Sequence, residues 1–445
     1  MNFNDVIIGF TVGLIILMIA GALSPFFTSS LNRKYFFPAL ILKMISAILL
    51  GLLYHFYYGG GDTFTYFTNG GIHIYNAFWD KPSLAWHLLF GETDYSHGVF
   101  KYASQIWMYN DPSSYMVVRI AGFISLFVGG SYAATALIFA ALSFSGIWAM
   151  YFSFTKIFPG KEWLLALAIL FIPSTVFWGS GILKDTLTFG FLGWATTAFI
   201  HLIYGKDKRF LWVVVFVFSL FMIYQIKLYV VMSLLPAMII WAYFLNINKV
   251  KNTVLRYMLA PFIITITLVF AGFAVYSVGQ DNKKYAIENL AKTVQITAYD
   301  VGRYTGKNAG SRYDLGDLDG GFLSMLKLGP AAINVAMFRP YLWEVRNPLM
   351  LLASLEGLIL FILSITILVK SRKNLFTTLN NPAIIFSLVF SLTFAFAVGI
   401  STYNFGTLFR YKVPLMPFYG IFLAIAWSRP AENKSEKTSQ LKLKV

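Results

Sequence analysis

Apolar residues run in long blocks along this chain, separated by short connectors that carry most of the charge. A block of about 20 consecutive apolar residues is what an α-helix needs to cross the hydrocarbon core of a bilayer. Such blocks fall near residues 6–24, 37–57, 132–155, 163–179, 186–204, 210–224, 228–246, 257–278, 347–369, 381–402 and 412–428. The pattern predicts an all-α, polytopic helical membrane protein with about eleven spans. One further apolar stretch, 115–130, is short, contains Arg119 and ends in Gly129-Gly130. It reads as a shallow or re-entrant helix. Two long segments interrupt the blocks, about 58–131 and 279–346. Within the first, His73–Trp79 and Ser83–Phe90 read as helices lying in the interface with their rings at headgroup depth. Residues 1–428 are therefore expected to form one membrane domain, and the polar, Lys-rich stretch 429–445 a disordered tail.

Composition supports the same class. Of 445 residues, 58% are hydrophobic and 12% charged, about half the roughly 25% charge of a soluble globular chain. Cysteine is absent, which excludes disulfides and thiolate metal sites. The N-terminal Met-Asn-Phe-Asn-Asp lacks the basic region of a cleaved leader, so the first block is expected to remain as a span.

The net charge of +16 is first a topology signal. If 115–130 does not cross, every short basic connector falls on one side. With Lys43 snorkelling to that face, the side holds 19 basic and 4 acidic residues, a net of +15, against +1 opposite. The positive-inside rule then puts the N-terminus outside and the tail in the cytoplasm of a plasma (inner) membrane. No nucleic-acid partner is called for; the bilayer is the partner.

The blocks themselves carry few ionisable groups, Lys43 and Glu356 among them, which weighs against an ion-coupled transporter. Charge gathers instead at outer span ends. There, Gly59-Gly-Gly-Asp62-Thr-Phe-Thr-Tyr66 combines a flexible turn with a carboxylate beside aromatics. Asp62 suits a general base, and Tyr66, four residues on, shares its helical face. By itself the motif reads at least as well as an Asp capping an interfacial helix. Between two blocks, Trp178-Gly-Ser-Gly-Ile-Leu-Lys184-Asp185 places an acid and a base at a turn. Neighbouring residues on a helix do not face each other, so each is expected to find another partner. A capping Asp and a snorkelling Lys explain this pair equally well.

Two later motifs place cations among aromatics and prolines: Phe338-Arg339-Pro-Tyr-Leu-Trp343-Glu344-Val-Arg346-Asn-Pro348 and Tyr403-Asn404-Phe-Gly406-Thr-Leu-Phe-Arg410-Tyr411-Lys412-Val-Pro414-Leu-Met-Pro417. Guanidinium groups recognise phosphate oxygens bidentately. Interfacial anchoring explains one such arginine; two clusters on one face favour binding. The loop Ser-Arg312-Tyr-Asp314-Leu-Gly-Asp317-Leu-Asp319 offers carboxylates for a divalent cation, but a plain acidic turn is the preferred reading.

Taken together, the early Asp after a span, the aromatic outer loop, Phe127-Val-Gly-Gly-Ser131, the Pro173…Ser-Gly…Lys184-Asp185 turn and the late Arg410-x-Lys412-x-Pro-x-x-Pro resemble the GT-C superfamily of integral-membrane glycosyltransferases. The likeness covers about the first 200 residues and the last 40. It implies a polyprenyl-phosphate-linked sugar donor in cell-envelope polysaccharide biosynthesis. It also implies an acidic residue of the outer loop as catalyst, matching Asp62, and a late basic residue on the donor phosphate, matching Arg410 or Lys412. Lys184, Asp185, Arg339, Glu344, Arg346 and Tyr66 complete the candidate substrate-binding set. The pattern departs from the family in placing the loop after the second span. It also has Gly-Asp-Thr where some members carry Asp-x-Asp, so no metal cofactor is assigned. A polysaccharide polymerase or ligase centred on the arginines of 279–346 is the nearest alternative. A flippase or transporter of lipid-linked sugars is the alternative from another class.

Overall fold

The computed structural model describes residues 3–205, 207–247, 313–316, 327–370, 375, 378–402 and 404–428. These residues form an all-α protein. Helices α1 (Phe3–Phe27) and α2 (Arg33–Phe56) lead into five shorter helices. These are α3 (Asp62–Tyr66), α4 (Ile72–Asp80), α5 (Pro82–Phe90), α6 (Phe100–Ala103) and α7 (Pro112–Phe127). Then follow α8 (Tyr132–Ile157), α9 (Glu162–Leu170), α10 (Pro173–Trp178), α11 (Lys184–Tyr204) and α12 (Arg209–Asn246). The last five are α13 (Gly329–Phe338), α14 (Pro348–Lys370), α15 (Pro382–Thr402), α16 (Phe405–Tyr411) and α17 (Met416–Trp427).

Among the described residues seven helices are long and apolar enough to cross a membrane: α1, α2, α8, α11, α12, α14 and α15. Helices α16 and α17 together pass the same test but are bent by 69° at their break. The chain is thus a multi-pass membrane protein by the length and composition of its helices. The difference from eleven blocks has local causes. The block 163–179 divides into α9 and α10, because Pro173 starts a new helix and the chain is extended at Ile172; neither piece reaches the ~20 residues a span needs. Blocks 210–224 and 228–246 join in the 38-residue α12, interrupted at Lys227 by non-helical backbone (φ −147°, ψ 78°). The block 257–278 lies outside the described residues. The stretch expected to be shallow forms α7, a 16-residue apolar helix.

The chain divides into two compact units, residues 1–166 with 170–228 and residues 229–442 with 167–169, and the boundary falls beside the break at Lys227. In the first unit α8 and α11 pack backbone to backbone. A Cβ on Gly146 would stand 1.9 Å from the Gly190 carbonyl oxygen, and one on Gly193 would stand 2.3 Å from that of Gly146. Within lipid there is no hydrophobic drive between helices, so such close van der Waals contact through small residues is the main source of cohesion. Helix α1 docks similarly, with Gly9 against Ala133, where an added Cβ would come within 2.7 Å of the alanine methyl. Asp5 then accepts from Ser131 Oγ at 2.5 Å and from the Ala133 amide at 3.1 Å, closing the start of α8. Arg119, the cation inside α7, donates through Nε to the Leu88 carbonyl at 3.2 Å and through its other nitrogen to that of Gly91. It therefore satisfies carbonyls at the end of α5 that have no helical partner. In the second unit Gly399 meets the Ala332 backbone and Gly357 the Phe338 carbonyl, fixing α13 against α15 and α14.

Candidate functional site

The first unit holds a charged cluster at the starts of α3, α7 and α11 and at the α12 break. After α2 the chain turns through Gly59, Gly60 and Gly61 at φ +67°, +141° and +124°, backbone that residues with a Cβ adopt only under strain. A side chain on Gly61 would also meet the Tyr54 ring at 2.7 Å. This turn delivers Asp62 as the first residue of α3. The N-cap is Gly61, with no side-chain cap bond, so the capping role that competed for Asp62 is not the one it has. Helix α3 is held from behind by Tyr132, whose hydroxyl hydrogen-bonds Thr63 Oγ1 at 2.7 Å and whose ring stacks on Phe64 at 4.9 Å. Tyr66 is buried. Asp62 itself is half-buried.

Lys184 and Asp185 at the start of α11 turn to different partners, as adjacent helical residues must. Lys184 Nζ donates to Ser113 Oγ at 2.7 Å and stands 3.6 Å from Asp111 Oδ2. It also lies within electrostatic reach of Asp62 and of Lys227. Asp185 is paired with Lys227 at the α12 break, and both side chains are buried. Neither Lys184 nor Asp185 caps α11, whose N-cap is Leu183. Asp111 is the N-cap of α7, accepting from the Ser113 amide at 3.2 Å and from Ser114 Oγ at 2.5 Å. Burial raises its carboxyl, but those serine hydrogen bonds and the Lys184 ammonium outweigh burial and hold it below the usual carboxylate range. The structure thus gathers Asp62, Asp111, Lys184, Asp185 and Lys227.

Sequence reading missed Asp111 and Lys227. The Asp-Pro-Ser-Ser helix start at 111–114 was a visible signal for the first; nothing in the sequence singled out Lys227. Lys43 corrects an expectation. Instead of snorkelling to the inner face it is 4% exposed, donating to the Gly179 carbonyl, 3.4 Å from Ser180 Oγ and 5.4 Å from the Phe189 ring. It anchors the turn that leads to Lys184. An apolar groove of about 360 Å³ opens between α1, α2 and α8, lined by residues including Gly9, Gly13, Met44, Ile48 and Leu137.

In the second unit the two Arg-aromatic motifs meet. The Arg339 guanidinium lies 5.4 Å from the Phe405 ring centroid at the start of α16. It is also forked onto Glu344, with Nε 3.1 and 3.0 Å from the two carboxylate oxygens. The Tyr341 amide adds a hydrogen bond to Glu344 Oε2 at 2.8 Å. Burial raises the Glu344 carboxyl; the Arg339 hydrogen bonds, the Tyr341 amide and the guanidinium charge reverse this and leave it below its ordinary value. Arg346 is exposed and Arg410 half-buried. Lys412 is 1% exposed, in the bend between α16 and α17, with Nζ 3.7 Å from Glu356 Oε1 of α14. That is ion-pair distance, longer than a hydrogen bond. The scarcity of charge inside the helices is therefore only apparent, since Lys43, Asp185, Lys227, Glu356 and Lys412 are all buried. Asp314 accepts from the Gly316 amide at 2.9 Å, as a plain acidic turn does; Asp317 and Asp319 lie outside the described residues. Among the described residues no three His, Cys, Asp or Glu side chains gather as metal ligands. No family model, curated protein or solved structure matches the chain.

Proposed function

We propose that the protein is a membrane glycosyltransferase. It takes a sugar from a polyprenyl-phosphate donor and passes it to an acceptor hydroxyl at the outer face of the plasma membrane. The chain would cross the membrane several times, with the 429–445 tail in the cytoplasm. The observation that carries the reading is the setting of Asp62, a half-buried carboxylate at the start of α3, delivered by three glycines at positive φ and within electrostatic reach of the Lys184 ammonium. A carboxylate held this way suits proton abstraction. The acceptor oxygen, losing its proton to Asp62, attacks the anomeric carbon; the carbon–oxygen bond to phosphate breaks, and the phosphate leaves with the electron pair. Cationic groups would neutralise the departing phosphate, the role that the sequence motifs suggest for Arg410 and Arg339. The prenyl chain needs an apolar channel between helices, which the groove lined by Gly9, Gly13 and Met44 exemplifies.

The test is to incubate purified protein with a panel of prenyl-phosphate sugars and measure donor consumption. Asp62→Asn is expected to abolish it while leaving expression and insertion intact; an active Asp62→Asn variant removes Asp62 from the mechanism. The buried pairs Asp185–Lys227 and Glu356–Lys412 favour one second reading, a transporter of lipid-linked sugars, because ionisable residues inside membrane helices commonly line transport paths. Proteoliposomes that move a lipid-linked sugar across the bilayer without consuming it would establish that alternative.

A further inference from the structure

The loop between α5 and α6 holds two imidazoles against each other. His87, in the last turn of α5, has its ring centroid 4.7 Å from that of His97. Its Nε2 lies 3.1 Å from Asp94 Oδ1, and the same carboxylate oxygen accepts from the Ser96 amide at 3.1 Å. Among the described residues Asp94 is the one carboxylate bonded to either imidazole. His97 stands at φ +57°, backbone that residues with a Cβ seldom adopt, and Gly98 follows at +76°. The contact with His87 thus holds His97 in a conformation its own backbone does not favour. A further tie comes from the Tyr109 hydroxyl, which donates to the Asp94 carbonyl, and the Tyr95 and Tyr109 rings pack at 5.4 Å. Around the pair, Arg119 of α7 donates to the carbonyls of Leu88 and Gly91, Lys101 of α6 is paired with Asp80 of α4, and Glu92 is exposed in the loop itself.

We propose that His87 and His97 form a pH-sensitive latch, which holds the loop 92–98 against α5 while the rings are neutral and releases it when both are protonated. Histidine is the side chain that changes charge between about pH 5 and 8. Neutral rings at this separation attract each other, whereas two imidazolium rings repel. One carboxylate neutralises one imidazolium, and Asp94 is committed to His87, so a charge on His97 is left unbalanced. Asp94 itself stays ionised through that range, because the Ser96 hydrogen bonds, aided by His87, outweigh desolvation and hold its carboxyl below the ordinary value. Acid therefore strengthens the His87–Asp94 contact and breaks the one to His97. The device stands whether or not the protein transfers sugars. A histidine pair that merely packed would leave the loop indifferent to pH over this range.

Amide hydrogen exchange of the full-length protein decides the matter, measured in detergent at low ionic strength at pH 7.5 and pH 5.5. Peptides covering 92–99 are followed by mass spectrometry and corrected for the intrinsic pH dependence of exchange. Both pH values lie above the ordinary carboxylate range, so histidines are the side chains that change charge between them. Two unit charges at the ring separation repel enough, even in bulk water, to shift an equilibrium about fourfold. Exchange in 92–99 is therefore expected to rise at least about fourfold at pH 5.5, while peptides from α8 do not change. His97→Asn, a residue that tolerates positive φ, is expected to abolish the rise. Exchange that is equal at the two pH values overturns the proposal, as does a rise that survives His97→Asn. Should His97→Asn exchange rapidly at both pH values, His87→Gln, which keeps a donor for Asp94, carries the same comparison, and a rise that persists there overturns the proposal.

Discussion

Removing the carboxylate opposite Lys412 isolates the energetics of a charge buried among membrane helices. In Glu356→Gln the Lys412 ammonium, 1% exposed, loses a partner 3.7 Å away. At an effective dielectric of about 20 the pair's Coulomb energy at this separation is roughly 4.5 kcal/mol. Breaking a buried pair by deleting one member costs about 3–5 kcal/mol, because the remaining charge stays desolvated. Deleting both, as in Glu356→Leu with Lys412→Met, costs little or stabilises by about 1–4 kcal/mol, since the desolvation penalty goes with the attraction. Thermal unfolding in detergent, followed by tryptophan fluorescence, should therefore show Glu356→Gln and Lys412→Met each lowering Tm by on the order of 5 °C. The double variant should return to within about 2 °C of the wild type on the same scale. Single variants that melt with the wild type, or a double variant as unstable as the sum of the singles, would refute the ion-pair reasoning. The same proteins separate structure from chemistry at Lys412: a stable double variant with undiminished donor consumption shows that its ammonium does not hold the donor phosphate.

Further outcomes follow from the same geometry. Tyr132→Phe loses the hydroxyl contact to Thr63 but keeps the ring stacked on Phe64, so stability should fall by about 1 kcal/mol while donor consumption, which depends on where α3 sets Asp62, falls further. Gly146→Leu drives a side chain into the Gly190 carbonyl, and fluorescence-detected gel filtration should show loss of the folded species, whereas Leu142→Ala, an exposed position one turn earlier in α8, should be tolerated. The Arg339–Glu344 contact should hold at neutral pH, because a carboxyl depressed in the folded state stabilises above its ordinary value of 4.5. Its contribution should fade as the pH drops through the lower folded-state value, and Glu344→Gln should remove that acid dependence from the unfolding profile. Asp62→Asn, silent in gel filtration, should be inactive in the donor assay.

Particular residues show how far the amino-acid order alone could go. Apolar content is a property of a segment, adding up residue by residue regardless of what packs outside it, so the membrane class and the helical blocks 6–24, 37–57, 132–155, 347–369 and 381–402 were readable directly; each lies mostly within one described helix. The turn at Gly59-Gly60-Gly61 and the separate partners of Lys184 and Asp185 were also legible, because positive φ and the spacing of helical side chains are local matters. Packing decided the rest. Where a charge goes depends on which distant segment comes beside it. Lys43 reaches a carbonyl 136 positions away, Lys184 a serine 71 positions away, and Lys227 an aspartate 42 positions away. The breaks at Ile172, Lys227 and between α16 and α17 likewise occur inside apolar runs, where hydrophobicity is blind to backbone direction. Burying an ion is costly alone and tolerable only beside its partner, so tertiary contacts, rather than local pattern, determined which of these polar groups lie inside.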